Sequence, residues 1–204
     1  MNRHLYLFAL PALVLLCAFR CSRTPDCPPD SGYAFRVASS WEPGLPGYRV
    51  GDTLWFTSRF PKALFDERSR QVVVYSEAQV RMALQVYRLD TVRQRHEPAA
   101  AEFRYVTVIG TLPDSFATDQ RGFRFREDSS GYALRVGLVT QRPGLYAIMA
   151  TQITSAGRAG LACTFATFSN RLSNPDRFVS LYRNAMGAAA QPDVDERLFA
   201  FRVE

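Results

Sequence analysis

Between Tyr33 and Val203 the apolar residues come in runs of four to ten, separated by clusters of Gly, Pro, Asp and Ser. Within the runs they alternate with polar residues instead of recurring every three or four. A period of two predicts strands with one face inward and one face outward. In the clearest run, Val80, Met82, Leu84 and Val86 fall on one face while Arg81 and Gln85 fall on the other. Phe123-Arg-Phe-Arg-Glu127 alternates in the same way, and Asp128-Ser-Ser-Gly131 then supplies a turn into Tyr132–Thr140, which predicts a hairpin. Pro143-Gly144 makes the next turn, into Leu145–Ile153, so three consecutive antiparallel strands are expected here. Further strands are expected at Tyr33–Val37, Thr53–Ser58, Val72–Tyr75, Phe103–Gly110, Leu161–Phe168 and Leu198–Val203. Nine or ten strands and little else predict an all-β, antiparallel sandwich.

One segment breaks the pattern. Asn174 reads as an N-cap, Pro175 as the first helical residue and Asp176 as first-turn acid. Phe178, Leu181, Tyr182, Ala185 and Met186 then recur at helical spacing up to Gly187, so an amphipathic helix is expected over residues 175–186. It should cover a face or an end of the sandwich.

The chain begins differently. Met1-Asn-Arg-His4 is a short basic start, and Leu5–Leu16 is an apolar run interrupted only by Pro11. A helix of that length reaches only about 18 to 23 Å, short of the roughly 30 Å hydrocarbon core, so the run reads as an export signal and not as a permanent span. Ser22 to Ser31 combines three prolines with small polar residues and reads as a tether. The expected organisation is a leader over 1–21, a Pro-rich tether over 22–31 and a β-sandwich domain over 32–204.

Where a small-x-small cleavage site would stand, the leader carries Cys17 and Cys21 around Ala-Phe-Arg. Here the chain resembles bacterial lipoprotein precursors, in which a cysteine just past the apolar run is acylated and becomes the first mature residue. The resemblance implies a membrane partner through a lipid anchor on Cys17 or Cys21. Leu16 and Arg20 stand before these cysteines where a lipobox prefers a small residue, and plain secretion or an uncleaved anchor remain as alternatives. Tyr48-Arg-Val-Gly-Asp-Thr-Leu-Trp-Phe-Thr-Ser58 with Phe60-Pro61, and Arg142-Pro-Gly-Leu-Tyr146, resemble segments of immunoglobulin-like domains in Bacteroidota-type envelope lipoproteins. That resemblance implies an immunoglobulin-like sandwich in the cell envelope, outer-membrane or periplasmic, and it implies no activity. By the residues alone, Gly51 suits a turn and Trp55 reads as core material beside Leu54 and Phe56. Export also permits a disulfide, and the cysteines beyond the leader are Cys27 and Cys163. They either bridge the start of the domain to a late strand or remain a buried thiol and an unpaired one.

Composition narrows the chemistry. Of 204 residues, 47% are hydrophobic and 22% charged, which excludes a disordered chain. The formal charge is +6 from 25 basic and 19 acidic residues, and Lys62 is the only lysine. The arginines run without clustering from Arg36 to Arg202, so they read either as a polyanion-binding set or as compositional bias. With His4 in the leader, only His96 is left for acid-base or metal chemistry, and its neighbours Arg93, Arg95 and Glu97 place it in a solvated loop. No G-x-S-x-G, P-loop or G-x-G-x-x-G sequence occurs, so no catalytic residue, metal ligand or cofactor is expected, and no nucleic-acid partner.

Three readings remain. The first is a non-catalytic binding or structural module with an envelope protein partner, which should show an apolar patch or an unprotected edge strand. The second is a glycan or polyanion binder, with aromatics and arginines such as Phe103-Arg-Tyr105, Phe123-Arg-Phe-Arg126 or Tyr182-Arg183 exposed together; strand alternation would instead put those aromatics in the core. The third is a carboxylate-dependent hydrolase, with acids converging around Asp66, Glu67 or Glu77. Glu127-Asp128 and Asp193-Val-Asp195-Glu196 read as turn residues.

Overall fold

Alternation along the chain becomes the two faces of a large sheet. The structure, a computed structural model, describes residues 32–113, 119–158, 163–173, 176–187, 190 and 197–204, without the side chains of Ala156, Asp176 and Arg177. The strands are β1 (Tyr33–Glu42), β2 (Gly47–Tyr48), β3 (Thr53–Phe60), β4 (Ala63–Asp66), β5 (Gln71–Val74), β6 (Ala78–Asp90), β7 (Arg95–Pro98), β8 (Phe103–Ile109), β9 (Gln120–Arg124), β10 (Arg126–Asp128), β11 (Gly131–Thr140), β12 (Gly144–Ala150), β13 (Ile153–Arg158), β14 (Ala166–Leu172) and β15 (Leu198–Val203). Helix α1 (Asp176–Met186) lies between β14 and β15.

The strand order is β10-β11-β3-β1-β14-β13-β6-β12-β15-β2, with β4 and β5 hung on β1, β7 and β9 on β6, and β8 on β11. The all-β expectation holds, but the purely antiparallel one does not: β1 pairs with β14, and β15 with β2, in parallel. Both pairings join strands far apart in sequence, where no tight hairpin forces the antiparallel sense. The expected three-strand run is corrected as well. The Phe123 segment divides at Phe125, β9 pairing with β6 and β10 with β11. After Pro143-Gly144 the chain leaves β11 altogether, and β12 pairs with β6 and β15.

The sheet curls so that strands distant in this order meet across one core. Trp41 of β1 stacks on Phe199 of β15 at 5.1 Å between centroids, and Phe103 of β8 meets Tyr146 of β12 edge-on at 5.0 Å. Backbone bonds between Thr111 and Arg124 join the end of β8 to β9. In β6, Val80, Met82, Leu84 and Val86 are buried as their spacing predicts. Leu89, at the opposite parity, is buried from the other side: with Ala147, Leu198 and Ala200 it packs under Val179, Tyr182 and Met186 of α1. The helix therefore covers one end of the sheet's outer face, and Leu198–Phe201 of β15 are buried on both sides. Its expected start at Asn174 and Pro175 lies outside the described residues. Trp55 is not core material; Leu54 and Phe56 point inward, and Trp55 lies half-buried on the outer face, its ring filling the space above Gly137.

The turn between β10 and β11 depends on one residue. Gly131 sits at φ +143°, and a Cβ there would stand 2.2 Å from the Phe60 carbonyl oxygen and 2.8 Å from Pro61 Cα, both backbone. Gly131→Ala is expected to lower stability by about 2 kcal/mol or more. Ser130→Ala, which removes the hydroxyl bond to Asp128 Oδ1 (2.6 Å), should cost about 1 kcal/mol or less. Urea denaturation midpoints of the two variants check this order.

Candidate functional site

The hairpin β4–β5 is held to the sheet by little backbone pairing. β4 touches β1 through a single aligned pair, Phe35 with Asp66, and β5 pairs with β4 alone. The register sets Ala63 opposite Val74 and Phe65 opposite Val72, so these four side chains share a face. All are exposed, with Phe65 at 51%, Val72 at 68% and Val74 at 61%, while Leu64 on the other face is buried. The Tyr75 N–H bonds back to the Lys62 carbonyl. Alternation then turns the peptide groups of Val73 toward β4, and those of Val72 and Val74 away from it. Gln71-Val-Val-Val74 thus offers an open backbone edge next to an apolar face, with no lysine, proline or bulge to blunt it. The sequence placed a strand at Val72–Tyr75 but no exposed face, because three consecutive valines carry no alternation and Phe65 was not assigned to a strand.

The turn of this hairpin is built on Asp66. Its buried carboxylate accepts backbone N–H bonds from Ala34 at 2.8 Å, Ser69 at 2.9 Å and Arg68 at 3.4 Å. Burial alone would raise its pKa, but the bonds from Ser69, Ala34 and Arg68 outweigh that and hold it below the ordinary aspartate range. Glu67 pairs with Arg36 at 3.1 Å. Glu127 pairs with Lys62 at 3.0 Å and takes the Glu77 N–H on both oxygens, and it too is held low against the effect of burial. A hydrolytic acid needs the opposite shift. Asp193, Asp195 and Glu196 lie outside the described residues. Among the described residues no group of three His, Cys, Asp or Glu side chains is arranged to hold a metal. A surface cavity of 480 Å³ beside Arg88, Leu145 and Arg202 holds neither Asp66, Glu67 nor Glu77.

Of the aromatics next to arginine in sequence, Phe103 and Phe123 are buried as strand alternation requires, Tyr105 and Phe125 are partly buried against the same core, and Tyr182 is buried where α1 packs on the sheet. Arg121 lies over the Tyr105 ring and Arg135 over the Trp55 ring, each at 5.2 Å. Both pairs are intramolecular, each guanidinium lying over one face of its ring. Cys17, Cys21 and Cys27 lie outside the described residues. Cys163 is not on a strand: it occupies a turn at φ +61° before β14.

His96 is not a solvated loop residue. It lies on β7, half-buried, with Nε2 3.0 Å from the Tyr182 hydroxyl of α1 and its ring against Tyr87. Pairing with β6 brings it under the helix, which local polarity in the sequence does not reveal.

No protein-family model matches the chain, and no curated protein sequence does. Among solved structures it is similar to the human F-spondin reeler domain, with a TM-score of 0.33 and 10% identity over 69% of this chain and 89% of that one. It is also similar to a cohesin module from a family 33 glycoside hydrolase of Clostridium perfringens, with a TM-score of 0.28 and 8% identity over 67% and 98%. Likeness at these scores carries neither fold nor function across.

Desolvation pulls the His96 pKa below 6.5, so the folded state disfavours the imidazolium. Its contribution is complete above the unfolded-state pKa and is lost as pH falls through about 6.5 and below. Asp66 and Glu127, held low, lose theirs only below about pH 4.5. Melting temperature is therefore expected to fall between pH 7 and pH 5, and His96→Gln should flatten that interval while leaving the acid limb unchanged.

Proposed function

We propose that the chain is a non-catalytic, envelope-tethered module of immunoglobulin-like sandwich form that engages a protein partner by strand addition at β5. The observation that carries this reading is the β4–β5 hairpin, where outward peptide groups of Val72 and Val74 adjoin the exposed Phe65, Val72 and Val74 side chains. An extended partner segment gains main-chain hydrogen bonds along the edge, while alternate apolar side chains meet the valines and the phenylalanine. The low carboxylate pKa values and the closed ion pairs around Asp66, Glu67 and Glu127 support the non-catalytic part. The tether follows from the leader resemblance, with a lipid on Cys17 or Cys21 and a Cys27–Cys163 bridge at the base of the domain.

A photo-reactive side chain at Val72 is expected to cross-link one partner, through one extended segment, in the membrane fraction of a native-type host. Val74→Pro removes an outward donor without breaking a β4 bond, and Val72→Lys puts a charge on the edge. Either should cut partner yield about tenfold while the melting temperature stays within a few degrees. Absence of a product, or a product indifferent to both variants, would overturn strand addition. Intact mass of membrane-fraction protein should show a diacylglyceryl adduct on Cys17 or Cys21 and a gain of two hydrogens on reduction. A soluble, unlipidated species would remove the anchor.

A further inference from the structure

The uncovered end of the outer face of β6 carries an unusual row. Arg81 of β6 stands directly opposite Arg124 of β9. The row continues on both sides, with Thr154 of β13 opposite Arg81 and Thr111 opposite Arg124. Directly opposed residues point to the same face, and all four are exposed. Like charges opposed in this way repel. Among the described residues neither guanidinium has a carboxylate within ion-pair distance; Arg81 donates only to Gln79 Oε1, at 2.7 Å. Two adjacent forks flanked by hydroxyls and left without a counter-charge form a receptor for an oxyanion, which would bridge them bidentately and relieve the repulsion.

The surroundings indicate what carries the anion. The next row, Ala83 opposite Gly122, has almost no side chain, and the row after it sets Gln85 opposite Gln120. These three rows form a flat strip about 13 Å long, with guanidinium forks at one end, amides at the other and a bare floor between them. None of the three rows carries an aromatic ring to stack a base: Tyr87, next along the face, turns its ring to His96 and its hydroxyl to Asp119, and Met149 beside Gln85 is half-buried against the cluster under α1, not free to enter a bilayer. Asp119 beside Gln120 places an acid near the amide end, which suits sugar hydroxyls there and disfavours a second anion. We infer that the β6·β9 face binds an acidic polysaccharide, holding a carboxylate or sulfate between Arg81 and Arg124 and sugar hydroxyls between the glutamines. The surface differs from the β5 edge, so either proposal can fail alone.

The test is calorimetric titration of the purified chain with polygalacturonate, dextran sulfate and neutral dextran, alongside duplex DNA and phosphatidylglycerol vesicles. The expected result is binding to at least one acidic glycan, weakening as salt is added, with none to neutral dextran. Arg81→Gln and Arg124→Gln should each lower that affinity about tenfold or more, whereas Arg104→Gln on β8 should leave it unchanged. A purely structural arginine pair would lose stability when broken. A repelling pair held for a ligand should instead melt at the same or a higher temperature in either Gln variant without glycan. Failure to bind both acidic glycans, affinity indifferent to both substitutions, or equal binding to DNA or vesicles would overturn the inference.

Discussion

Everything in this domain depends on the backbone of β6 being paired along both edges. On one side Ala78–Arg88 meets β13 and then β12; on the other, Arg81–Asp90 meets β9 and then β7. A thirteen-residue strand with both edges occupied cannot slip by one residue without sending Val80, Met82, Leu84 and Val86 to the outside. That cost fixes the register of four neighbouring strands at once. It also fixes what each face of β6 can do. Even positions up to Val86 serve the main core, and odd positions form the outer surface, which α1 closes at the Leu89 end and leaves open at the Arg81 end.

The same constraint explains what the sequence could and could not reveal. Alternation in Val80–Val86, the continuous apolar Leu198–Phe201 and the helical spacing from Phe178 to Met186 are local signals, and each element forms where they place it. Pairing is not local. Whether Pro143-Gly144 returns the chain to β11 or carries it to β6 depends on which edge has bonds to give, and nothing within ten residues records that. Trp55 illustrates the limit. In sequence it is one more large apolar residue between Leu54 and Phe56, yet alternation allows only one parity inward, and Gly137 on the neighbouring strand gives the outward ring a seat. His96 and the Arg81–Arg124 pair were hidden for the same reason, since Tyr182 reaches His96 from 86 residues away and Arg124 reaches Arg81 from 43.

Edges and faces behave differently in this fold. A strand within the sheet spends its peptide groups on its neighbours and can offer a partner only its side chains. A terminal strand still has peptide groups to give, and β5 is terminal because β4 holds β1 through one aligned pair only. The bonds that Asp66 accepts from Ala34, Arg68 and Ser69 keep this short hairpin in shape despite so little sheet contact. They account for a buried aspartate that takes no part in chemistry. They also allow Phe65, Val72 and Val74 to remain outside without the hairpin collapsing onto the core.

Net charge misleads until the ion pairs are placed. A formal +6 spread over a chain with almost no lysine reads as diffuse basicity. In the folded domain, however, Arg36 meets Glu67, Arg88 meets Glu102, Arg95 meets Asp90 and Glu97, and Lys62 meets Glu127, so much of the charge is answered locally. Among the arginines left without an acid, it is register and not sequence that sets Arg81 directly against Arg124. A strand pair that sets Arg81 against Arg124 incurs a repulsion that one glutamine in either place would remove, and core packing gains nothing from these exposed positions. An arrangement that costs stability and contributes nothing to folding is the usual mark of a surface kept for a ligand, here one that supplies the missing negative charge.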